Sequence, residues 1–522
     1  NELKGDFTAR QILADLAGGT VNDKTNTLTG KIIFGNERKP HSQFNWRNLA
    51  EPVYDLDEDE IEFLKEAAPE MMAAPHGEAK SLLPYFPGYK FEMGKSIYKG
   101  VEVGEGGRVF AKPGMYGNVA LLDVASMHPH SAIMEVLFGV KFTRRFREIV
   151  YGRVHIKHEA WEEVNNMLEG KLTPYIQKVI DGEMSSKQLA NALKIAINSV
   201  YGLTAASFET LFRDPRNIDN IVAKRGALFM VDLQEAVEKR GFIVVHIKTD
   251  SIKIADATQE IIDFVMQFGK RYGYTFEHEE TYDRMCLVND AVYIAKYKTP
   301  HIDKDTGEEI WWTATGAQFQ IPYVFKTMFS KEPIEFSDLC ETKEVKTAIY
   351  LDMNEGLPDG EHDYNFVGKV GSFCPIKPGC GGADLVREAK DNKGNTKYDS
   401  VTGAKGYRWL EAEQVQILGK EADIDRSYYD DLVHAAIYGK DSGKNRKPGI
   451  SDFGDYEWFV SDDPYIGPPI MDGRPLYYPL PEDTPPWYSD AELAAMKNNR
   501  QALDTDDLLD VDEDTNDLFK RR

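Results

Sequence analysis

The stretch "NVALLDVASMHPHSAI" opens with an apolar run that predicts a buried strand ending at Asp123, followed by a turn and a helix. Upstream, "GEGGRVF" (104–110) reads as a glycine-marked turn entering a strand. The stretch "SSKQLANALKIAINSVYG" is helical in pattern and starts with a capping box, Ser185 followed by Gln188. In "FIVVHIKTDSIKIA" two short β-rich runs flank Thr249-Asp250-Ser251, which predicts a hairpin with the acid near its tip. Period-two alternation puts Lys248 on the face of Asp250. "ATQEIIDFVMQFGKRYG" returns to helical spacing, and "DLDEDEIEFLKEAA" reads as an acidic helix. After about residue 330 the periodicity weakens into loop-rich sequence. The Pro-rich "DDPYIGPPIMDGRPLYYPLPEDTPP" (462–486) reads as an extended wrap or linker. No internal repeat is present.

Composition narrows the class. A chain of 522 residues exceeds one ordinary core, so two to four subdomains are expected, and 42% hydrophobic residues suffice to fill them. No apolar run reaches membrane-spanning length and nothing at the start resembles a signal peptide, so no membrane partner is expected. Cys286, Cys340, Cys374 and Cys380 form no CxxC pair and read as buried or idle thiols of a reducing cytoplasm. The first residue is Asn1 rather than Met, as in a fragment or a processed product.

The net charge of −24 argues against nucleic-acid binding by bulk electrostatics. Residues 141–230 nevertheless carry 14 Lys/Arg against 10 Asp/Glu, and the acids gather elsewhere, as in "LDTDDLLDVDEDTNDL" (503–518). Global charge is therefore a poor guide to partners here.

Two carboxylates carry the first candidate chemistry. Asp123 and Asp250, brought together from separate strands, can bridge two Mg²⁺ ions in the arrangement that serves phosphoryl transfer. Taken singly, each acid also reads as an ordinary strand end at the surface. A third segment adds weight: Lys194, Asn198 and Tyr201 fall at i, i+4 and i+7, one helix face. Arg153 and Lys157 form another i, i+4 cationic pair, which alone reads as a solvated helix face.

These segments resemble the family B DNA polymerases. "DVASMHP" is similar to their first palm motif, Asp-x-x-Ser-Leu-Tyr-Pro. "KIAINSVYG" matches their fingers motif, Lys-x-x-x-Asn-Ser-x-Tyr-Gly, at every fixed position. "KTDS" resembles the second palm motif, Asp-Thr-Asp-Ser, with one departure. "GEGGRVF" is similar to the Gly-Gly turn ahead of the palm. "EETYDRMCLVNDAVY" aligns on the Glu-x-x-Tyr segment leading to Lys-Lys-x-Tyr. Order and spacing match over roughly residues 100 to 330, and the overall character is most like a bacteriophage enzyme.

The resemblance implies an α+β fold with right-hand polymerase architecture: an antiparallel-sheet palm with helical fingers and thumb. The segments would be a spacer (1–100), palm (101–140 and 206–330), fingers (141–205), thumb (331–461) and a C-terminal extension (462–522). It implies primer-template DNA and dNTPs as partners, and two Mg²⁺ ions, with Mn²⁺ as a substitute. Asp123, Asp250 and the Val124 carbonyl would bind the metals. Ser126 and Met127 would offer amides to the triphosphate, which Arg153, Lys157, Lys194 and Asn198 would grip. Tyr201 would lie against the nascent base pair, and Glu279 would be an auxiliary carboxylate. The reaction would be in-line attack of a primer 3′-hydroxyl on the α-phosphate.

Three departures stand out. Lys248 takes the place of an auxiliary acid; it cannot ligate Mg²⁺, but it can pair with Glu279 or touch the primer-terminal phosphate. His128 stands where the family has a tyrosine that excludes the ribose 2′-hydroxyl. The two duplex-tracking lysines become Asp290 and Ala291, with Tyr293 kept. The acidic run "DLDEDE" (55–60) lacks the strand and partner motifs of a proofreading exonuclease. The chain is therefore expected to be the polymerase part alone, with proofreading lost or on a separate exonuclease-bearing chain. Two other classes stay open: a catalytically silent, DNA-binding polymerase-like subunit, and a primase-like enzyme accepting ribonucleotides. The tail segment "TNDLF" (515–519) loosely resembles a sliding-clamp peptide. A solubilising tail, or an acidic strip over a basic DNA channel when DNA is absent, explains it better, because a two-residue apolar anchor arises often by chance. The expected location is the cytoplasm, that of the host if the chain is viral.

Overall fold

The computed structural model describes residues 2–38 and 86–463, apart from 87, 94, 105, 136, 207, 209, 214–219, 304 and 442–445, together with 470–471, 474–475 and 478–479. The acidic run at 55–60, most of the Pro-rich stretch and the acidic tail lie outside the described residues. Within them, helix and antiparallel sheet are mixed, as an α+β chain requires. The chain divides into two compact units, 1–110 with 120–279 and 495–522, and 111–119 with 280–494.

The first unit opens its strands with a small antiparallel sheet of β1 (Lys90–Glu92), β2 (Lys95–Tyr98) and β3 (Val101–Val103). It also carries β4 (Val109–Ala111), the end of β5 (Gly114–Val124), β6 (Ile243–Lys248) and β7 (Ser251–Ala255), side by side in the order β5-β7-β6-β4. β5 is buried along almost its whole length, which is why it reads as a continuous apolar run rather than an alternation. It runs one residue beyond the expected end, to Val124. Helix Ile221–Lys239 is buried on nearly every side; its Phe229 packs within 5.0 Å of the Tyr272 and Tyr274 rings. Helix Gln259–Arg271 is started by Thr258, whose hydroxyl accepts from the Ile261 amide, and it buries Ile261, Phe264, Val265 and Phe268. Each such side chain contributes roughly 2 kcal/mol of apolar burial.

Three more helices frame the site: Met127–Met134, Gly139–Lys157 and Ser186–Thr204. The last begins with the expected capping box, Ser185 and Gln188 exchanging side-chain and backbone bonds. Its Leu193, Ala196, Ile197 and Val200 are buried, which turns Lys194 and Asn198 outward.

In the second unit β8 (Phe276–Asn289), β9 (Val292–Ile302) and β10 (Glu309–Thr315) form an antiparallel meander; β8 enters from the first unit. The segment from 331, expected as a helical thumb, is instead built on a five-stranded antiparallel sheet. Its strands are β11 (Glu341–Asp352), β12 (Tyr364–Ile376), β13 (Asp384–Lys390), β14 (Thr396–Ser400) and β15 (Arg408–Glu411), in the order β14-β13-β11-β12-β15. Helices such as Ser427–Tyr438 come only afterwards. The weak periodicity has a physical source: one sheet face keeps residues such as Phe366 and Tyr398 partly in solvent, and register shifts interrupt the alternation of β11 against β12. No helix among the described residues is long and apolar enough to cross a membrane.

Candidate active site

The hairpin β6–β7 closes through two residues. Lys248 pairs with Ser251, so Thr249 and Asp250 are the turn itself. Thr249 is left-handed (φ 57°), and three contacts, two of them main-chain hydrogen bonds, hold it and its neighbour in place. The Thr249 amide donates to the Arg108 carbonyl at 2.9 Å, and the Val124 amide donates to the Asp250 carbonyl at 2.8 Å. The third is a close approach: a Cβ at Gly107 (φ 130°) would meet the Thr249 methyl at 3.0 Å. The glycine turn ahead of β4 is therefore the seat of the hairpin tip.

Asp123 stands opposite Ser251 in the β5–β7 register. Strand pairing and the Val124–Asp250 bond thus bring the two acids together from distant parts of the chain. The Oδ1 atom of Asp123 is buried and has no hydrogen-bond partner. Burial, then Asp250, Glu279 and Glu277, push its carboxyl from 3.8 up to about 7, with only the nearby Val124 amide dipole acting the other way. Glu277 and Glu279 lie exposed at the start of β8. Among the described residues no group of three or more His, Cys, Asp or Glu side chains is gathered to hold an ion unaided. A cation here would need Asp123, Asp250 and oxygen ligands from the main chain or a substrate.

From β5 the chain turns sharply into helix Met127–Met134. The Ala125 amide donates to the Thr275 carbonyl at 2.9 Å, and Ser126 adopts a left-handed conformation at the helix start. The Ser126 carbonyl accepts from the His130 amide, at 3.0 Å. Its hydroxyl accepts from Arg153 Nη1 at 3.2 Å, which ties helix Gly139–Lys157 to the turn. Arg153 Nε is buried without a partner. Burial lowers the proton affinity of that guanidinium, and Glu277 opposes the shift. Met127 is buried, so only its backbone can face a ligand.

His128 lies on Tyr201 with ring centroids 4.8 Å apart and planes 9° from parallel. Its Nε2 is buried and has no partner. Burial lowers the imidazole's proton affinity against the pull of Asp250, which favours the neutral ring. Burial likewise pushes the Tyr201 phenol up. Lys194, Asn198 and Lys157 are exposed and bind no other described residue.

The sequence reading needs two adjustments. Lys248 forms no ion pair with Glu279, and Asp250 lies past the strand, where alternation no longer applies. Cross-strand pairing instead aligns Lys248 with Ser251 and, through it, with Asp123. The cation that sequence reasoning missed is Lys253. It is buried, two residues on from Ser251 along β7, with Nζ 3.1 Å from His246 Nδ1. Burial and Lys248 lower its amine to about 8, while Asp123 and Glu279 hold it up. Its trace in the sequence was a single lysine inside the apolar run "SIKIA". Tyr293 lies on β9 in the second unit beside Tyr282, and Asp290 and Ala291 occupy the β8–β9 turn.

Among solved structures, the chain is similar to a family B DNA polymerase from the hyperthermophilic archaeon Pyrobaculum calidifontis. Identity is 12% and the TM-score 0.38, over 82% of this chain and 53% of that one. The chain thus spans about half the length of that polymerase. A likeness at this score carries no weight, so the functional reading rests on the residues themselves. No protein-family model and no curated protein matches the chain.

Proposed function

We propose that the chain is the catalytic core of a DNA-templated DNA polymerase of the family B kind, extending a primer 3′-hydroxyl with dNTPs. One observation supports this most: Asp123 is pinned beside Asp250 with a buried, unpartnered oxygen among like charges. That arrangement is costly by itself and is relieved by a hard cation. Mg²⁺, with Mn²⁺ as a substitute, suits the all-oxygen donor set of Asp123, Asp250 and the Val124 carbonyl. Two such ions, when bound, would supply charge neutralisation at the attacking and leaving oxygens.

The chain's own residues do the positioning. The amides of Ser126 and Met127 open a helix, have no intrahelical acceptors, and can donate to a triphosphate. Lys194 and Asn198 are turned outward on one helix, with Arg153 and Lys157 on another, to meet the β- and γ-phosphates. His128, braced by Tyr201, forms the floor under the sugar. On this reading residues 101–140 and 206–330 are the palm, 141–205 the fingers, and 331–461 a thumb based on β-sheet.

Primer extension with Mg²⁺, offering dNTPs and rNTPs separately, tests the proposal. The expected result is dNTP-dependent extension that Asp123→Ala and Asp250→Ala abolish while DNA binding survives. A folded protein that binds primer-template yet extends with neither nucleotide set is a silent subunit instead. The ribonucleotide reading has its own support, because an imidazole is smaller than the family's phenol at position 128.

A further inference from the structure

Outside the site, two thiols face each other in the second unit. Cys340 ends a short helical turn (Phe336–Leu339) and Cys374 lies in β12, with their Sγ atoms 3.4 Å apart across a separation of 34 residues. The neighbouring pair Glu341 and Phe373 is in strand register, so the backbones already run side by side. Closing to a disulfide bond length of about 2.05 Å needs only side-chain rotation and a small shift. Neither Cys286 nor Cys380 is placed against another thiol in this way.

We propose that Cys340 and Cys374 form a redox modification site that closes to a disulfide when the protein meets a disulfide oxidant such as oxidised glutathione. The inference is independent of the polymerase reading.

The two sulfurs are unequal, which sets the order of events. Cys340 is half-buried, while Cys374 is fully buried beside Phe373 and Trp409. The Cys340 sulfhydryl donates to the Phe336 carbonyl at 3.2 Å; burial pushes its proton affinity up, and the neighbouring Cys374 and Ser372 side chains partly offset that. Burial and the bond to Cys340 both push the Cys374 thiol up. Cys340 is therefore the attacking sulfur. Its thiolate attacks one sulfur of the oxidant, breaking that S–S bond, and one glutathione leaves and takes up the proton. Cys374 then attacks the Cys340 sulfur of the mixed disulfide, and the second glutathione leaves with the Cys374 proton. Two protein thiols lose two electrons in total, and one glutathione disulfide becomes two thiols.

The experiment treats the full chain with oxidised glutathione at neutral pH, blocks remaining thiols in denaturant, and maps peptides by mass spectrometry. The expected result is a linked peptide pair joining Cys340 to Cys374 that dithiothreitol reverses and Cys380→Ser leaves intact. The oxidised chain should melt roughly 5–10 °C higher, because a loop of this length is closed in the unfolded state. Cys374→Ser should accumulate glutathione on Cys340, whereas Cys340→Ser should leave Cys374 unmodified. Alkylation of both cysteines in the treated wild type, with no linked pair, overturns the proposal. Preferential modification of Cys374 in the Cys340→Ser chain overturns the order of attack.

Discussion

The His128 imidazole lies flat on the Tyr201 phenol, 9° from parallel, so a side chain of helix Met127–Met134 is braced by a side chain of helix Ser186–Thr204. If this pair is the sugar gate, removing either ring opens it. His128→Ala and Tyr201→Ala should each raise ribonucleotide use relative to deoxynucleotide use by about tenfold in kcat/KM, and Tyr201→Phe should change little. The double alanine variant should be no more permissive than the worse single one, because both act on one contact. Unchanged ratios in both single variants would put discrimination elsewhere.

Asp123 makes stability depend on pH and on metal. Its carboxyl titrates near 7 in the folded chain and at 3.8 when free, so the folded state holds the proton more tightly. The stability that Asp123 contributes is therefore full below about 4 and is lost as pH rises through the folded value, all without metal. Asp123→Asn cannot ionise, so its melting temperature should stay flatter between pH 4 and 7. Added Mg²⁺ should stabilise the wild type at pH 7.5 and leave the variant almost unmoved. Equal responses to Mg²⁺ would remove Asp123 from the ligand set.

The two lysines near the acids should behave differently. Lys248→Ala should keep activity at saturating Mg²⁺, since Lys248 is exposed and makes no ion pair. Lys253→Met removes a buried cation that offsets the charges of Asp123 and Glu279. The acid limb of the pH–rate profile should then move upward, because Asp123 would lose its proton less readily. An unmoved limb in a folded Lys253→Met protein would show that this lysine serves packing alone.

On the proposed reading, Lys194→Ala should slow single-turnover nucleotide addition by on the order of 10–100-fold, by removing the cation that would neutralise the leaving pyrophosphate. DNA affinity should hold. A loss confined to DNA affinity would move Lys194 to the template path.

Gly107→Ala tests the seat of the hairpin. The added methyl meets Thr249 at 3.0 Å on a backbone of φ 130° that L-residues rarely adopt. A cost of about 1–3 kcal/mol is expected in unfolding titrations, together with weaker Mg²⁺-dependent stabilisation. Full stabilisation by Mg²⁺ in this variant would show that the tip tolerates displacement.

What the sequence disclosed depended on how local each signal is. Helix Ser186–Thr204 was readable to its capping box because the capping residues adjoin the periodic run. The β6–β7 hairpin was readable because Thr249-Asp250 interrupts two β-rich runs. Lys253 was not, since a lysine in an apolar strand reveals its neighbours only when β5 is laid beside β7. The five-stranded sheet after 331 was missed for the opposite reason. With one face partly in solvent and shifts of register along β11, it left no sustained period to read. Cys340 and Cys374 sit too far apart in sequence for any spacing rule, and only the pairing of β11 with β12 unites them.

The acids at the hairpin tip are located by amides and carbonyls, those of Val124, Asp250, Thr249 and Arg108. Main-chain groups are common to every residue type except proline, so the scaffold is indifferent to which side chains decorate it. Positions such as 248 and 128 can then change charge or ring size without moving the carboxylates by any large distance. The two carboxylates are thus set in place by atoms that a change of side chain does not touch.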